Sequence, residues 1–160
     1  NNLRIKLSNS ESEKIQYSCN ESYVRINEEV SRILTAGTYE ESNKGLSYKG
    51  SWGISSNSKY SEGTAKISDT KGSTVEFKFN GTSFEIYGHA SDWRGKAKVY
   101  IDGKEIDTVD CYSKTDDPSK KLYSKSELIA GIHTVKIEVL GEKNQASNGV
   151  KVVIDKIVVK

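Results

Sequence analysis

Side chains able to do chemistry are few in this sequence and widely spaced. Histidine stands only at 89 and 133, and cysteine only at 19 and 111. A serine or cysteine nucleophile needs an imidazole beside it as base. Cys111 follows Val109 at strand spacing, so it should face a core as a small hydrophobe rather than meet a histidine or pair with Cys19. His133, in Gly131-Ile132-His133-Thr134-Val135 at the start of an alternating run, reads as a structural residue rather than a ligand. No Gly-x-Ser-x-Gly elbow, Gly-Asp-Ser, His-Glu-x-x-His or glycine-rich phosphate loop occurs. Asp107, Asp110, Asp116, Asp117 and Asp155 supply carboxylates, but nothing in their spacing fixes two at the separation that glycoside hydrolysis requires. The chain is therefore expected not to be an enzyme.

Aromatic residues and amides in polar loops point elsewhere. Trp93 sits in His89-Ala90-Ser91-Asp92-Trp93-Arg94-Gly95, between two strand-like runs and flanked by charges. A tryptophan there exposes apolar area at a cost unless it packs back or meets a ligand. A sugar ring has an apolar C–H face rimmed by hydroxyls, which suits an aromatic platform beside amide, carboxylate and guanidinium groups. Asn144 and Gln145, in the loop from Gly141 to Gly149, would supply amides from a neighbouring loop. Trp93 is read as leaning to a ligand surface and Trp52 as leaning to the core.

The elements that must position these loops are strands. Val75, Phe77 and Phe79 share one face, Phe84 and Ile86 can share it on the next strand, and Asn80-Gly81 between them predicts a type I′ hairpin. A second hairpin is predicted from Ala97-Lys98-Val99-Tyr100-Ile101 and Glu105-Ile106-Asp107-Thr108-Val109, hinged at Asp102-Gly103. From Tyr39 onward strands are expected at about 46–48, 51–54, 63–67, 74–79, 83–88, 95–101, 104–112, 121–123, 131–140 and 149–159. The only proline, Pro118, falls in an expected loop, and the last run should be a central strand. The expected class is all-β, an antiparallel β-sandwich of the jelly-roll kind. Val75, Phe77, Phe79, Phe84, Ile86, Val99, Ile101, Val109, Val135, Ile137, Val139, Val152 and Ile154 should form its core.

Residues 1–36 read differently. Short alternating runs at Leu3, Ile5 and Leu7, at Lys14-Ile15-Gln16-Tyr17, at Tyr23-Val24-Arg25-Ile26 and from Val30 to Leu34 predict an extra N-terminal β segment. It would be either additional strands or the end of a preceding domain, with Thr35-Ala36-Gly37-Thr38 as the joint and residues 37–160 as the sandwich.

Composition agrees with one soluble domain. Its 160 residues are 34% apolar with a net charge of +2, and acids and bases alternate along the runs, so no basic stripe marks a nucleic-acid partner. No apolar run is long enough to insert in a membrane. The opening residues lack an initiating Met and an apolar leader core, which reads as part of a longer chain.

An ordered series of short motifs carries a resemblance. Tyr48-Lys49-Gly50-Ser51-Trp52, Tyr60-Ser61-Glu62-Gly63-Thr64-Ala65, Gly72-Ser73-Thr74-Val75-Glu76-Phe77, Gly88, Arg94-Gly95, Val99-Tyr100-Ile101-Asp102-Gly103, Asp110-Cys111-Tyr112-Ser113, Gly131-Ile132-His133-Thr134-Val135, Lys143-Asn144 and Ile154-Asp155 resemble jelly-roll carbohydrate-binding modules. These are attached to extracellular glycoside hydrolases, carbohydrate esterases and phage tail or baseplate proteins. The resemblance spans about residues 39–160. It implies a non-catalytic, lectin-like accessory module that anchors a larger extracellular or virion-surface protein to a polysaccharide or cell-surface glycan. Its site would lie on the loops at one end of the sandwich, with Trp93, Arg94, Asn144 and, less directly, Tyr60 and Tyr112. The resemblance also implies a structural calcium held by Glu40, Glu41 and Asp155, whose carboxylates suit that ion. The alternative is a structural or adhesive β-domain of a phage tail, baseplate or cell-surface assembly. Neither the particular glycan nor the oligomeric state follows from the residues.

Overall fold

The computed structural model describes residues 21–160. The chain divides into two units, residues 1–32 and Ile33–Lys160. In the first unit residues 21–30 are helical, which corrects the strand expected at Tyr23-Val24-Arg25-Ile26. Tyr23, Ile26 and Val30 also fit a helical repeat, and so short an apolar run does not discriminate between the two periods. The Arg25 guanidinium lies 3.4 Å from Glu21 one turn earlier, a pairing that only a helix offers. Of the run from Val30 to Leu34, a single bridge remains, between Leu34 and Phe79. The strands expected at Leu3 to Leu7 and Lys14 to Tyr17, and Cys19, lie outside the described residues.

The second unit is an antiparallel β-sandwich, as expected. Its strands are β1 (Gly37–Glu40), β2 (Ser47–Lys49), β3 (Gly53–Ser56), β4 (Thr64–Ser68), β5 (Thr74–Gly81), β6 (Phe84–Ala90), β7 (Gly95–Ile101), β8 (Lys104–Asp110), β9 (Asp117–Lys125), β10 (Gly131–Lys143) and β11 (Val152–Val159). One sheet runs β3-β4-β11-β6-β9 with β1 also on β11, and the other runs β2-β5-β10-β7-β8. The last strand is thus central, as its apolar run suggests.

Period-2 alternation turns one face of each sheet inward. Phe77, Phe79, Val99, Val135, Ile137 and Val139 of one sheet meet Phe84, Ile86, Val152, Ile154, Ile157 and Val159 of the other, all buried in one core. The Phe77 and Phe84 rings meet edge-on at 5.9 Å and those of Phe79 and Phe84 lie 5.4 Å apart. Every core residue expected from the spacing lies there, with Val109 partly buried at its margin. Trp52 packs half-buried on this core and donates its indole N–H toward the Lys49 and Thr74 carbonyls, 3.1 Å from each.

Three expectations are corrected by the pairing. The Asp102-Gly103 hairpin forms as expected, with φ of 51° and 77° between paired β7 and β8. Asn80-Gly81 does not make a hairpin: β5 pairs with β2 and β10, whereas β6 pairs with β9 and β11. The chain instead crosses between sheets at Thr82-Ser83, whose amides both donate to the Lys160 carbonyl. Gly81 serves close approach, since a Cβ there would come within 2.6 Å of that same carbonyl oxygen. Pro118 lies not in a loop but buried in β9, an edge strand, where its missing N–H leaves no inner ladder bond unmade. Thr38, read as part of a joint, instead belongs to β1 and pairs with Val158.

Candidate functional site

Trp93 occupies the short connection between β6 and β7 at one end of the sandwich. It is 54% exposed, unusual for a side chain with this much apolar area. The turn that carries it is firmly held. Trp93 N–H points at the Ser91 hydroxyl at 3.3 Å, and the Ser91 carbonyl accepts the Ser113 amide at 3.1 Å. From the β10–β11 connection comes Ser147, whose buried hydroxyl lies 3.0, 2.8 and 2.9 Å from the carbonyl oxygens of Asp92, Arg94 and Gly149. It can donate its one proton to only one of them at a time. Asn148 N–H donates to the Asp92 carbonyl at 2.6 Å, and its side-chain amide donates to the Asp92 carboxylate at 3.2 Å. Gly149 abuts the tryptophan: a Cβ there would fall 2.8 Å from the Trp93 carbonyl oxygen and 3.1 Å from its ring. Two loops, each crossing from one sheet to the other, thereby present one aromatic plate with an acid and an amide beside it.

The other expected site residues are distributed unevenly. Asn144 reaches the same end, but both its polar atoms are engaged: its amide donates to Asp110 at 2.8 Å and its oxygen accepts the Ala146 amide at 3.0 Å. It shapes the loop. Tyr112 is half-buried, bridged to Ser91, with its N–H on Asp110 at 3.0 Å. Arg94 turns inward and is only 8% exposed, its guanidinium 2.9 Å from His89 Nδ1. Tyr60 is corrected outright as an exposed platform. It is buried against Ala65 and Val153, with its hydroxyl 2.7 Å from the same His89 nitrogen.

His89 thus centres a cluster that sequence spacing did not show. Arginine can only donate, so Nδ1 is the acceptor, and Nε2–H donates to Asp116 at 2.6 Å. That hydrogen bond holds the Asp116 carboxyl below its ordinary range, and burial pushes the Arg94 guanidinium down. Among the described residues no serine oxygen or cysteine sulfur hydrogen-bonds His89. Cys111 is free and buried, and burial pushes its thiol up to about 12, the opposite of an activated thiolate. The other histidine is satisfied as expected, with Nδ1 2.7 Å from Asp102 and Nε2 2.7 Å from the Ile129 carbonyl.

A third cluster joins Glu40, Glu41 and Asp155, one carboxylate oxygen of each lying within 4.8 Å of the others. Glu41 and Asp155 are buried. Asp155 accepts the Ser61 amide at 3.1 and 3.2 Å, Glu40 the Ser61 hydroxyl at 2.8 Å, and Glu41 the Thr64 hydroxyl at 2.7 Å. These donors do not balance three negative charges. Glu40 Oε2 is buried with no partner. Burial, with Glu40 and Glu41 adding to it against the Ser61 amide, pushes the Asp155 carboxyl up. A cluster of hard oxygens with an orphaned acceptor fits a cation such as calcium. The pairing of β1 with β11 brings the three together, with Glu41 N–H on the Asp155 carbonyl at 2.9 Å.

No protein-family model matches the chain. It is 33% identical over 103 residues to an A type blood alpha-D-galactosamine galactosaminidase of Flavonifractor plautii, covering 64% of this chain and 10% of that protein. It is 35% identical over 92 residues to an A type blood N-acetyl-alpha-D-galactosamine deacetylase of the same organism, covering 58% of this chain and 12% of that protein. The chain thus spans about a tenth of the length of these relatives. Among solved structures it shares its fold with part of a Paenibacillus xanthan lyase, at 20% identity and a TM-score of 0.61 over 81% of this chain and 14% of that one. It also shares it with a CBM36-1 domain of a multidomain xylanase from the hindgut metagenome of Trinervitermes trinervoides, at 13% identity and a TM-score of 0.51 over 76% of this chain and 93% of that one. Among the described residues no helix is long and apolar enough to cross a membrane.

Proposed function

We propose that residues 33–160 form a non-catalytic carbohydrate-binding module acting outside the cell, which holds a larger protein to a glycan through Trp93. The observation that carries this reading is the exposed indole on a turn that Ser147 and Asn148 pin, with its ring against Gly149. A platform whose backbone is already set loses less entropy when a sugar stacks on it. Support comes from the fold shared with the CBM36-1 domain, and from sequence similarity to small portions of two enzymes named for galactosamine-containing blood-group substrates. Similarity to about a tenth of each suits an accessory domain. A cation held by Glu40, Glu41 and Asp155 would neutralise the acids that join β1 to β11, and its contribution is structural.

The test is calorimetry with α-linked N-acetylgalactosamine and galactosamine oligosaccharides, after a glycan array with the same chain. Trp93→Ala should weaken binding by at least about 2 kcal/mol while leaving the far-UV spectrum and melting unchanged. Equal affinity in the folded variant would move the site off this loop and favour an adhesive or spacer role.

A further inference from the structure

Asp92 sits on the rim of the Trp93 platform with its charge unspent. Its carboxylate receives one long bond, from Asn148 at 3.2 Å, and makes no ion pair among the described residues. The arginine two positions on acts on it only at a distance and makes no contact, because Arg94 is buried and its guanidinium faces His89. Asp110 at the same end is held by neutral donors only, the Asn144 amide at 2.8 Å and the Tyr112 N–H at 3.0 Å. The nearby lysines, Lys143 and Lys151, are exposed and pair with neither acid. Asp92 precedes Trp93 directly, and Asn148, which touches it, precedes the Gly149 against which the indole lies. Acid, amide and indole therefore share one rim.

A carboxylate accepts hydrogen bonds and attracts cations, and an indole face attracts cations as well. A sugar stacked on Trp93 would meet a hydroxyl-accepting, ammonium-attracting and carboxylate-repelling edge. Resting on the carbohydrate-binding reading, we propose that Asp92 is a specificity-determining residue that makes this site prefer sugars bearing a free, protonated amine over neutral ones, and disfavour uronic acids. Arg94, turned away from the rim, does not offer an acidic substituent its guanidinium.

The experiment titrates the whole chain at pH 6, where a sugar amine is protonated, with D-galactosamine, D-galactose, N-acetyl-D-galactosamine and D-galacturonate. The Trp93 indole N–H resonance reports binding. Galactosamine should bind about five- to tenfold more tightly than galactose, and galacturonate more weakly than galactose, as expected for one partly solvated charge pair. The amine advantage should shrink in 0.5 M salt. Asp92→Asn should bring the ratio of galactosamine to galactose affinity close to one, whatever it does to galactose affinity itself. Equal affinity for all four sugars, with the Trp93 resonance still shifting, would overturn the role of Asp92 and leave the platform standing. Binding of any of them, followed by calorimetry, that Trp93→Ala does not weaken would overturn both. The order of wild-type affinities decides the proposal even if the Asp92 variant fails to fold.

Discussion

Calcium should stabilise this protein, and removing one acid should stabilise it when calcium is absent. Oxygens of Glu40, Glu41 and Asp155 lie within 4.8 Å of each other, so each pair repels by about 3.5 kcal/mol at an effective dielectric of about 20. Such strain cannot accumulate without limit, because the cluster can bind a proton instead. At pH 7, protonating an ordinary carboxylate costs about 4 kcal/mol, and that caps what the cluster stores. Asp155→Asn removes two of the three repelling pairs. It also exchanges the charge-assisted bonds from Ser61 N–H, at 3.1 and 3.2 Å, for neutral ones worth about 1 kcal/mol less. The metal-free variant should therefore be about 1–3 kcal/mol more stable than the wild type. Calcium at a hundredfold excess over its dissociation constant adds about 2.7 kcal/mol to the wild type, or about 10 °C in Tm for a domain of this size. Melting both proteins in EDTA and in 10 mM calcium chloride gives four values, and the ranking should invert between the two conditions. A wild-type Tm that ignores calcium, together with a variant less stable in EDTA, would refute the electrostatic argument.

Two further outcomes follow from the packing and from the second histidine. Phe77→Ala, which empties a site between Phe79 and Phe84, should cost about 3–5 kcal/mol in denaturant titration; a loss below about 1 kcal/mol would mean that the cavity collapses or that the ring is not in the core. The His133–Asp102 pair should act only within a pH window. His133 is raised above its ordinary 6.5, first by the Asp102 hydrogen bond, so its contribution is complete below 6.5 and lost as pH rises through the raised value. Asp102 is lowered from 3.8, first by the same bond, so its contribution is present above 3.8 and lost as pH falls through the lowered value. The stability lost in His133→Gln should thus peak at about pH 4–6.5 and shrink on both sides. Because Asp102 is half exposed, the pH-dependent part should stay below about 1 kcal/mol. A difference independent of pH from 3 to 9 would assign His133 to packing on Phe79 alone.

Strand faces were legible in the sequence because they depend on neighbours two residues apart. Phe77 and Ile137 lie inside for the same local reason, and Asp102-Gly103 closes its hairpin because positive φ is a property of those two residues. Asn80-Gly81 carries the same local signal and turns no hairpin. Its meaning is set by Lys160, eighty positions away in sequence, whose carbonyl collects the amides of Thr82 and Ser83 and leaves no room for a Cβ at Gly81. The run from Tyr23 to Ile26 fits both periods, and the Glu21–Arg25 pairing was the signal that could have marked the helix.

The site divides along the same line. Trp93 could be recognised because an indole in a polar loop is anomalous on its own, and Glu40, Glu41 and Asp155 because the resemblance placed them. Arg94 and Tyr60 read as surface groups in the sequence, whereas His89 claims both, at 2.9 and 2.7 Å. That cluster joins β6, the β6–β7 turn, the loop before β9 and the loop before β4, and no spacing rule connects residues 60, 89, 94 and 116. The same loop offers two amides, Asn144 and, four positions on, Asn148, and its composition does not say which one stands beside Trp93. Which acid each amide meets depends on distant residues: Asp110 holds Asn144, whereas Asn148 donates to Asp92 beside the indole. A loop's composition therefore locates a binding surface, whereas the partners of its polar atoms decide which side chains remain free to bind.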